Sequence, residues 1–381
     1  MPRMQRPLIL LAATAALLTA WCPPALAKRK VPHGFYGVMW DRAATEAPDV
    51  EQEDQWALMA RSGVESVRTV FNWALAQPEP GVTDFTYTDR VVGLAASHRI
   101  SLVPVVRTTP SWAKADPAVV GAPPQNPSDY AVFLQALIGR YGPKGSYWVE
   151  HPEVPKLPVR VWQVWNEPHL NLWWNTDGRS PNAWPREYAA LLKTAKAAID
   201  AADPGATVVL AALADYAWKH LTRLNHFKIG RYYDVAAINL FTARPASVFR
   251  GVRYFRRAMR RGGGGRKPVW LTEATWPAGK GRVSRPQASW QRAWYTTDQG
   301  MADRVGDIYK LAVKYRRKLR IGRVVWYTWS SAYADNEDLF DYSGLVRFSG
   351  GEYEQRPALD AYAASAHRYE GCRKSAQGVC G

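Results

Sequence analysis

The sequence predicts a single-domain (β/α)8 TIM barrel of the α/β class, and three observations lead there. Eight short apolar runs alternate with eight amphipathic stretches along the chain. The 381 residues are 47% hydrophobic, enough to bury one large core. Two glutamates, Glu167 and Glu273, close apolar runs, and a parallel barrel carries its reactive groups at strand ends.

The expected strands are 34–40, 66–72, 101–107, 159–165, 207–212, 234–241, 268–273 and 323–329. Runs this apolar suit strands covered on both faces. The expected helices are 54–62, 88–98, 127–141, 188–202, 215–228, 246–261, 298–319 and 359–366, one after each strand. A doubly wound open sheet is the competing fold, but no Gly-x-Gly-x-x-Gly follows the first strand. The glycines of 262–265 precede Arg266-Lys267 rather than Gly-Lys-Ser/Thr, so they read as a flexible connector and not a phosphate loop. Basic runs at 253–261 and 314–320 read as solvated helix faces, and no nucleic-acid partner is expected.

Residues 1–27 read as a signal peptide. Arg3 and Arg6 form a basic start, 8–20 is an apolar stretch too short to span a bilayer, and Ala25-Leu26-Ala27 is a cleavage site. The mature chain is therefore expected outside the cytoplasm, secreted or associated with the cell envelope, with no integral membrane segment after cleavage. The catalytic domain is expected over 28–366, followed by a tail over 367–381. Cys372 and Cys380 are the only cysteines left after cleavage, and export makes a disulfide between them chemically reasonable. The formal charge of +17 is compatible with an anionic glycan as partner, and equally with a generally Arg-rich surface. No cofactor is implied, and no Cys/His spacing resembles a metal site. The oligomeric state is not readable.

The chemistry lies in two passages. Trp165-Asn166-Glu167-Pro168 ends the fourth strand and Thr272-Glu273 ends the seventh, so the two carboxyls face each other across the barrel mouth. A facing pair of carboxyls is what glycosidic cleavage needs, and a separation of about 5–5.5 Å gives retention. Apolar neighbours Trp165, Trp173 and Trp174 suit Glu167 to proton donation, while Arg68 is the candidate cation that keeps Glu273 ionised. Asn166 is a candidate ligand for a sugar 2-hydroxyl. The 18 tryptophans exceed what a core needs, and indole faces are platforms for sugar rings. Trp40, Trp73, Trp112 and Trp276, all at strand ends, are candidates for stacking, and either Trp326 or Trp329 for the floor beneath the cleaved sugar.

In order along the chain, several passages resemble the clan A glycoside hydrolases, family 39 first and family 5 (cellulase-like) next. They are Val67-Arg68 with Phe71-Asn72-Trp73 and Gln77-Pro78; Asp84-Phe85 to Asp89; Thr109-Pro110-Ser111-Trp112-Ala113; Phe133 to Arg140-Tyr141-Gly142; Val164-Trp165-Asn166-Glu167-Pro168; Leu271-Thr272-Glu273 with Trp276; and Trp326-Tyr327-Thr328-Trp329 with Gly344-Leu345. The resemblance spans about 34–362. It implies a retaining glycosidase acting on β-linked sugars, with Glu167 as acid/base and Glu273 as nucleophile.

Two positions depart from that pattern. Family members often carry His-x-Tyr at the end of strand six, where this chain has Asn239-Leu240-Phe241, so the nucleophile's orientation falls to Arg68 or to Tyr327. Ala274-Thr275 replaces a common Gly after the nucleophile. Asn239 reads either as a ligand for a sugar hydroxyl or as a turn cap. A non-catalytic carbohydrate-binding barrel and a transglycosylase are the alternatives that the sequence leaves open.

Overall fold

A computed structural model of the chain describes residues 29–41, 49–284, 291–334, 337–349 and 352–370. The expected signal peptide and the Cys372–Cys380 pairing lie outside these residues. Eight parallel strands form the barrel: β1 (Tyr36–Met39), β2 (Ser66–Asn72), β3 (Ser101–Arg107), β4 (Val161–Val164), β5 (Thr207–Val209), β6 (Ala236–Asn239), β7 (Val269–Ala274) and β8 (Ile321–Tyr327). Their order is β5-β4-β3-β2-β1-β8-β7-β6, and the ends of that order meet through parallel bridges Val209↔Val235 and Leu213↔Ile238.

The alternation of side chains sets the inside of the barrel. Val103, Val209, Ala212, Val235, Ala237 and Trp270 pack as one interior cluster, and Met39, Val70, Val105 and Val325 as another. Gly37 keeps β1 close to its neighbours, because a Cβ there would stand 2.7 Å from Ser66 Oγ. Intervening residues such as Val67, Phe71, Leu102, Val106 and Trp326 belong to the larger core under the helices. Two-sided burial is why these strands are continuous apolar runs.

The helices that follow the strands are α1 (Asp49–Arg61), α2 (Thr86–Ser97), α3 (Pro127–Tyr141), α4 (Ala183–Ala202), α5 (Ala217–Asn225), α6 (Pro245–Arg261), α7 (Asp298–Leu319) and α8 (Pro357–Glu370). Local chemistry fixes several starts. Pro127 and Pro245 occupy first-turn positions whose amides have no partner within the helix, and Thr297 Oγ1 accepts from Gly300 N at 3.1 Å. The basic residues Arg253, Arg257, Arg260 and Arg261 lie on the exposed side of α6. Arg256 instead turns inward and donates to the carbonyls of Gly265 and Lys267. With Gly264 N bonded to Met259 O, the glycine run is a tied turn rather than the loose connector expected.

The structure adds a small sheet between β8 and α8, made of β9 (Ser330–Ser331), β10 (Val346–Ser349) and β11 (Glu352–Gln355). Its strands are short and polar, with Arg347 opposite Glu354, and give no apolar alternation to read. Strand β8 ends at Tyr327, so Trp329 falls beyond it, and β5 is shorter than its apolar run. Helix α5 starts later than expected because Asp215 and Tyr216 hold left-handed backbone, with φ of 37° and 60°. No described helix is long and apolar enough to cross a membrane.

Candidate active site

Both glutamates stand at the C-terminal mouth, each about 8% exposed. Beyond β4 the chain turns through two left-handed residues, Trp165 (φ 68°) and Glu167 (φ 45°). Such backbone is costly outside glycine and persists only where surrounding bonds enforce it. Here Trp165 N bonds Val106 O at 3.1 Å and Glu167 N bonds Ala212 O at 3.0 Å. Trp165 Nε1 donates to Trp173 O at 2.8 Å, which pins the following loop.

Arg68 organises the opposite side. It is almost wholly buried on β2 and spreads its donors over Glu273 Oε1 (2.7 Å), Asn166 Oδ1 (2.8 Å) and Gln163 Oε1 (2.9 Å). Gln163 Nε2 in turn donates to Trp165 O at 2.9 Å. One guanidinium thus couples the nucleophile candidate on β7 to the Asn-Glu turn after β4. The bond from Arg68 takes the Oδ1 of Asn166 as acceptor.

Asn239 does neither of the things expected of it. It donates from Nδ2 to Glu167 Oε1 at 2.7 Å and accepts from Thr272 Oγ1 at 2.8 Å. It is fully buried at the end of β6, where the β6–β7 register shifts so that Asn239 pairs with Glu273. Asn239 therefore positions Glu167.

The two carboxyls differ electrically. Burial first, and then the nearby charge of Glu273, push Glu167 up to about 8. Burial above all also holds Glu273 raised, with the charge and hydrogen bond of Arg68 working against it. Among the described residues Arg68 pairs with no other carboxylate, so the ionised partner it needs is Glu273. Glu167 is then the group that holds a proton near neutrality.

The tryptophans fall into two groups. Trp40, Trp73, Trp276, Trp326 and Trp329 are buried, and each indole N–H is spent inside the protein, on Ser330, Gln77, Thr242, Ser343 and Gln55 respectively. An indole covered in this way offers no face to a sugar, so the stacking and floor roles expected of them do not fit their positions. Trp112 keeps about a third of its surface, edge-on to Trp73. Half-buried Tyr327 lies with Phe241 and Phe340 in one aromatic group, with ring centroids 5.1–6.3 Å apart. Burial, and next the charge of Glu273, push the Tyr327 hydroxyl up.

Two mouth residues were missed by sequence reasoning, Arg107 and Asp41, and Trp173, expected beside Glu167, is found with them. Arg107 ends β3, faces Asp41 at 3.6 Å, and lies over the Trp173 ring at 4.2 Å. A signal was available, since Arg107 closes an apolar strand just as Glu273 does. The loops after β3 and β4 meet beside it, where Gly121 allows the approach: a Cβ there would lie 2.3 Å from Leu172 O. Among the described residues no group of three or more His, Cys, Asp or Glu is placed to hold a metal.

Comparison with known proteins agrees with this architecture. The family model described as beta-galactosidase, glycoside hydrolase family 42, matches residues 44–121, well short of half the chain. A family 39 glycoside hydrolase from Bacteroides cellulosilyticus superposes with a TM-score of 0.65 at 15% identity, over 90% of this chain and 64% of that one. The chain thus spans less than two thirds of that structure's length. A family 39 beta-xylosidase from Caulobacter crescentus gives 0.62 at 19% identity, covering 89% of this chain and 72% of that one. A family 5 enzyme from Streptomyces cattleya, solved with Manb1-4GlcNAc, gives 0.60 at 16% identity, covering 88% and 80%. No curated protein matches the sequence. The fold is that of the clan A glycoside hydrolases, the group that the motifs resemble.

Proposed function

We propose that this chain is a retaining glycosidase of β-linked oligo- or polysaccharides, with Glu167 as acid/base and Glu273 as nucleophile. The observation that carries this reading is the unequal pair at one barrel mouth: a carboxyl lifted to about 8 and a second bonded to a buried arginine. Glu167 protonates the leaving oxygen while Glu273 attacks the anomeric carbon. Glu167, now a carboxylate, then takes a proton from the water that releases the sugar. The neighbours named as beta-xylosidase and as a family 5 enzyme bound to a β-linked disaccharide support β-linked substrates. The N-terminal motif supports export, so the natural substrate is proposed to lie outside the cytoplasm.

The test is to follow cleavage of aryl β-xyloside, β-glucoside, β-galactoside and β-mannoside by proton NMR. The β-anomer should form first and mutarotate later. A first-formed α-anomer would show inversion and remove the nucleophile role from Glu273. No cleavage of any of these, or of β-glucans, xylans and mannans, would favour a carbohydrate-binding barrel.

A further inference from the structure

The geometry points to a neutral sugar in this site, held by a vicinal pair of ring hydroxyls bridging Asp41 and Arg107; this deepens the glycosidase reading and rests on it. Arg107 is the last residue of β3 and lies in register with Asn72 of β2. Asp41 follows β1, whose neighbour Trp40 bonds the carbonyl of Arg68. The pair therefore stands on the rim of the strand that carries Arg68, beside the nucleophile candidate.

The two charges face each other without closing a hydrogen bond. Arg107 Nη2 and Asp41 Oδ2 are 3.6 Å apart, beyond the 2.7–2.9 Å of a close charged pair. Among the described residues, the guanidinium of Arg107 makes a long hydrogen bond to Thr108 Oγ1, at 3.4 Å. Its plane is nevertheless set by the Trp173 ring beneath it. A guanidinium donor beside a carboxylate acceptor suits adjacent hydroxyls, one donating to the carboxylate while the next accepts from the guanidinium. Burial lowers the Arg107 pKa, opposed by Asp41, Glu273 and Glu167, so the arginine shares one electrostatic cavity with both glutamates.

Charge balance decides against an acidic sugar. Arg68 faces Glu273 and Arg107 faces Asp41, while Glu167 is neutral when protonated. Among the described residues, a uronate would bring a further negative charge beside Asp41 and Glu273 with no cation left over to balance it. The basic residues of α6 are on the outer face of the barrel and do not offset it.

Binding separates this proposal from the reaction. Methyl β-D-xyloside, glucoside, galactoside, mannoside and glucuronide are titrated into Glu167→Gln by calorimetry, with 3-deoxy and 4-deoxy forms of the best ligand. At least one neutral glycoside should bind ten-fold or more tighter than the glucuronide. Adding Arg107→Met or Asp41→Asn should weaken that ligand about ten-fold, yet leave unchanged the deoxy form that lacks the clamped hydroxyl. Asp41 is partly exposed, so Asp41→Asn keeps the test open if Arg107→Met fails to fold. Tighter binding of the glucuronide, equal losses for parent and deoxy forms, or no binding of any neutral glycoside would overturn the clamp. Turnover of aryl glycosides by the unaltered chain reads the reaction independently, so failure of the one is distinguishable from failure of the other.

Discussion

Glu167 and Glu273 are the same side chain at the same depth, yet their surroundings suit them to the opposite tasks proposed for them. Glu273 lies against a guanidinium that, among the described residues, pairs with no other carboxylate. Among the described residues the Glu167 carboxyl is hydrogen-bonded by the neutral amide of Asn239, and the low-dielectric mouth keeps its proton on. What distinguishes the proposed acid from the proposed nucleophile is the partner and not the depth of burial. The Asn166 bond to Arg68 ties the two environments together, so a change on one side is felt on the other.

The comparison breaks most severely at Arg68. Arg68→Met leaves Glu273 buried and uncompensated, which should cost about 3–5 kcal/mol of stability and drive Glu273 towards its protonated form. Turnover should fall below detection, and a melting curve should show the loss. A variant that melts like the parent would show that Arg68 is not the partner Glu273 depends on.

Next in size is Glu167→Gln. Loss of a general acid should lower kcat on poor leaving groups by roughly 10²–10⁴-fold, with activated aryl glycosides spared in the first step. In the unaltered chain, kcat/KM should fall as pH rises through about 8, where Glu167 loses its proton. Stability follows the same sign. The folded pKa is raised from 4.5 to about 8, so this contribution is complete below about 4.5 and is lost as pH rises through about 8. Glu167→Gln should therefore gain in Tm relative to the parent on the alkaline side. A Tm difference that does not change with pH would contradict the shift.

Asn239→Ala sharpens the comparison at smaller cost. Its amide donates to the carboxylate, which favours the ionised form of Glu167. Removal should move the alkaline limb to higher pH and cost about 1–3 kcal/mol in transition-state stabilisation. A limb that moves to lower pH would mean that the amide bonds the protonated carboxyl.

All eight barrel strands were legible in the sequence, and β2 and β3 to the residue, because burial on both faces leaves uninterrupted apolar runs with polar ends. The β9–β11 sheet was not, since backbone pairing of short polar segments leaves no pattern. The glutamates were legible because their motifs combine a strand end with a rigid turn. The assignments of Trp40, Trp73, Trp276, Trp326 and Trp329 do not fit their burial because being at a strand end does not say which way a side chain points. The parity of β8 was the missing step. Val325 and Tyr327 pack with the barrel interior, so Trp326 between them must point outward into the core under the helices. Asn239 was read as a ligand or a cap because nothing local tells that Glu167, distant in sequence, lies within its reach.

Azide rescue tests the division of labour most directly. With an activated aryl β-glycoside, Glu273→Gly should be inactive alone and regain turnover in azide, giving the α-glycosyl azide of inverted configuration. Glu167→Ala should give the β-glycosyl azide. An inverted adduct from Glu167→Ala and none from Glu273→Gly would show that the two glutamates have exchanged roles.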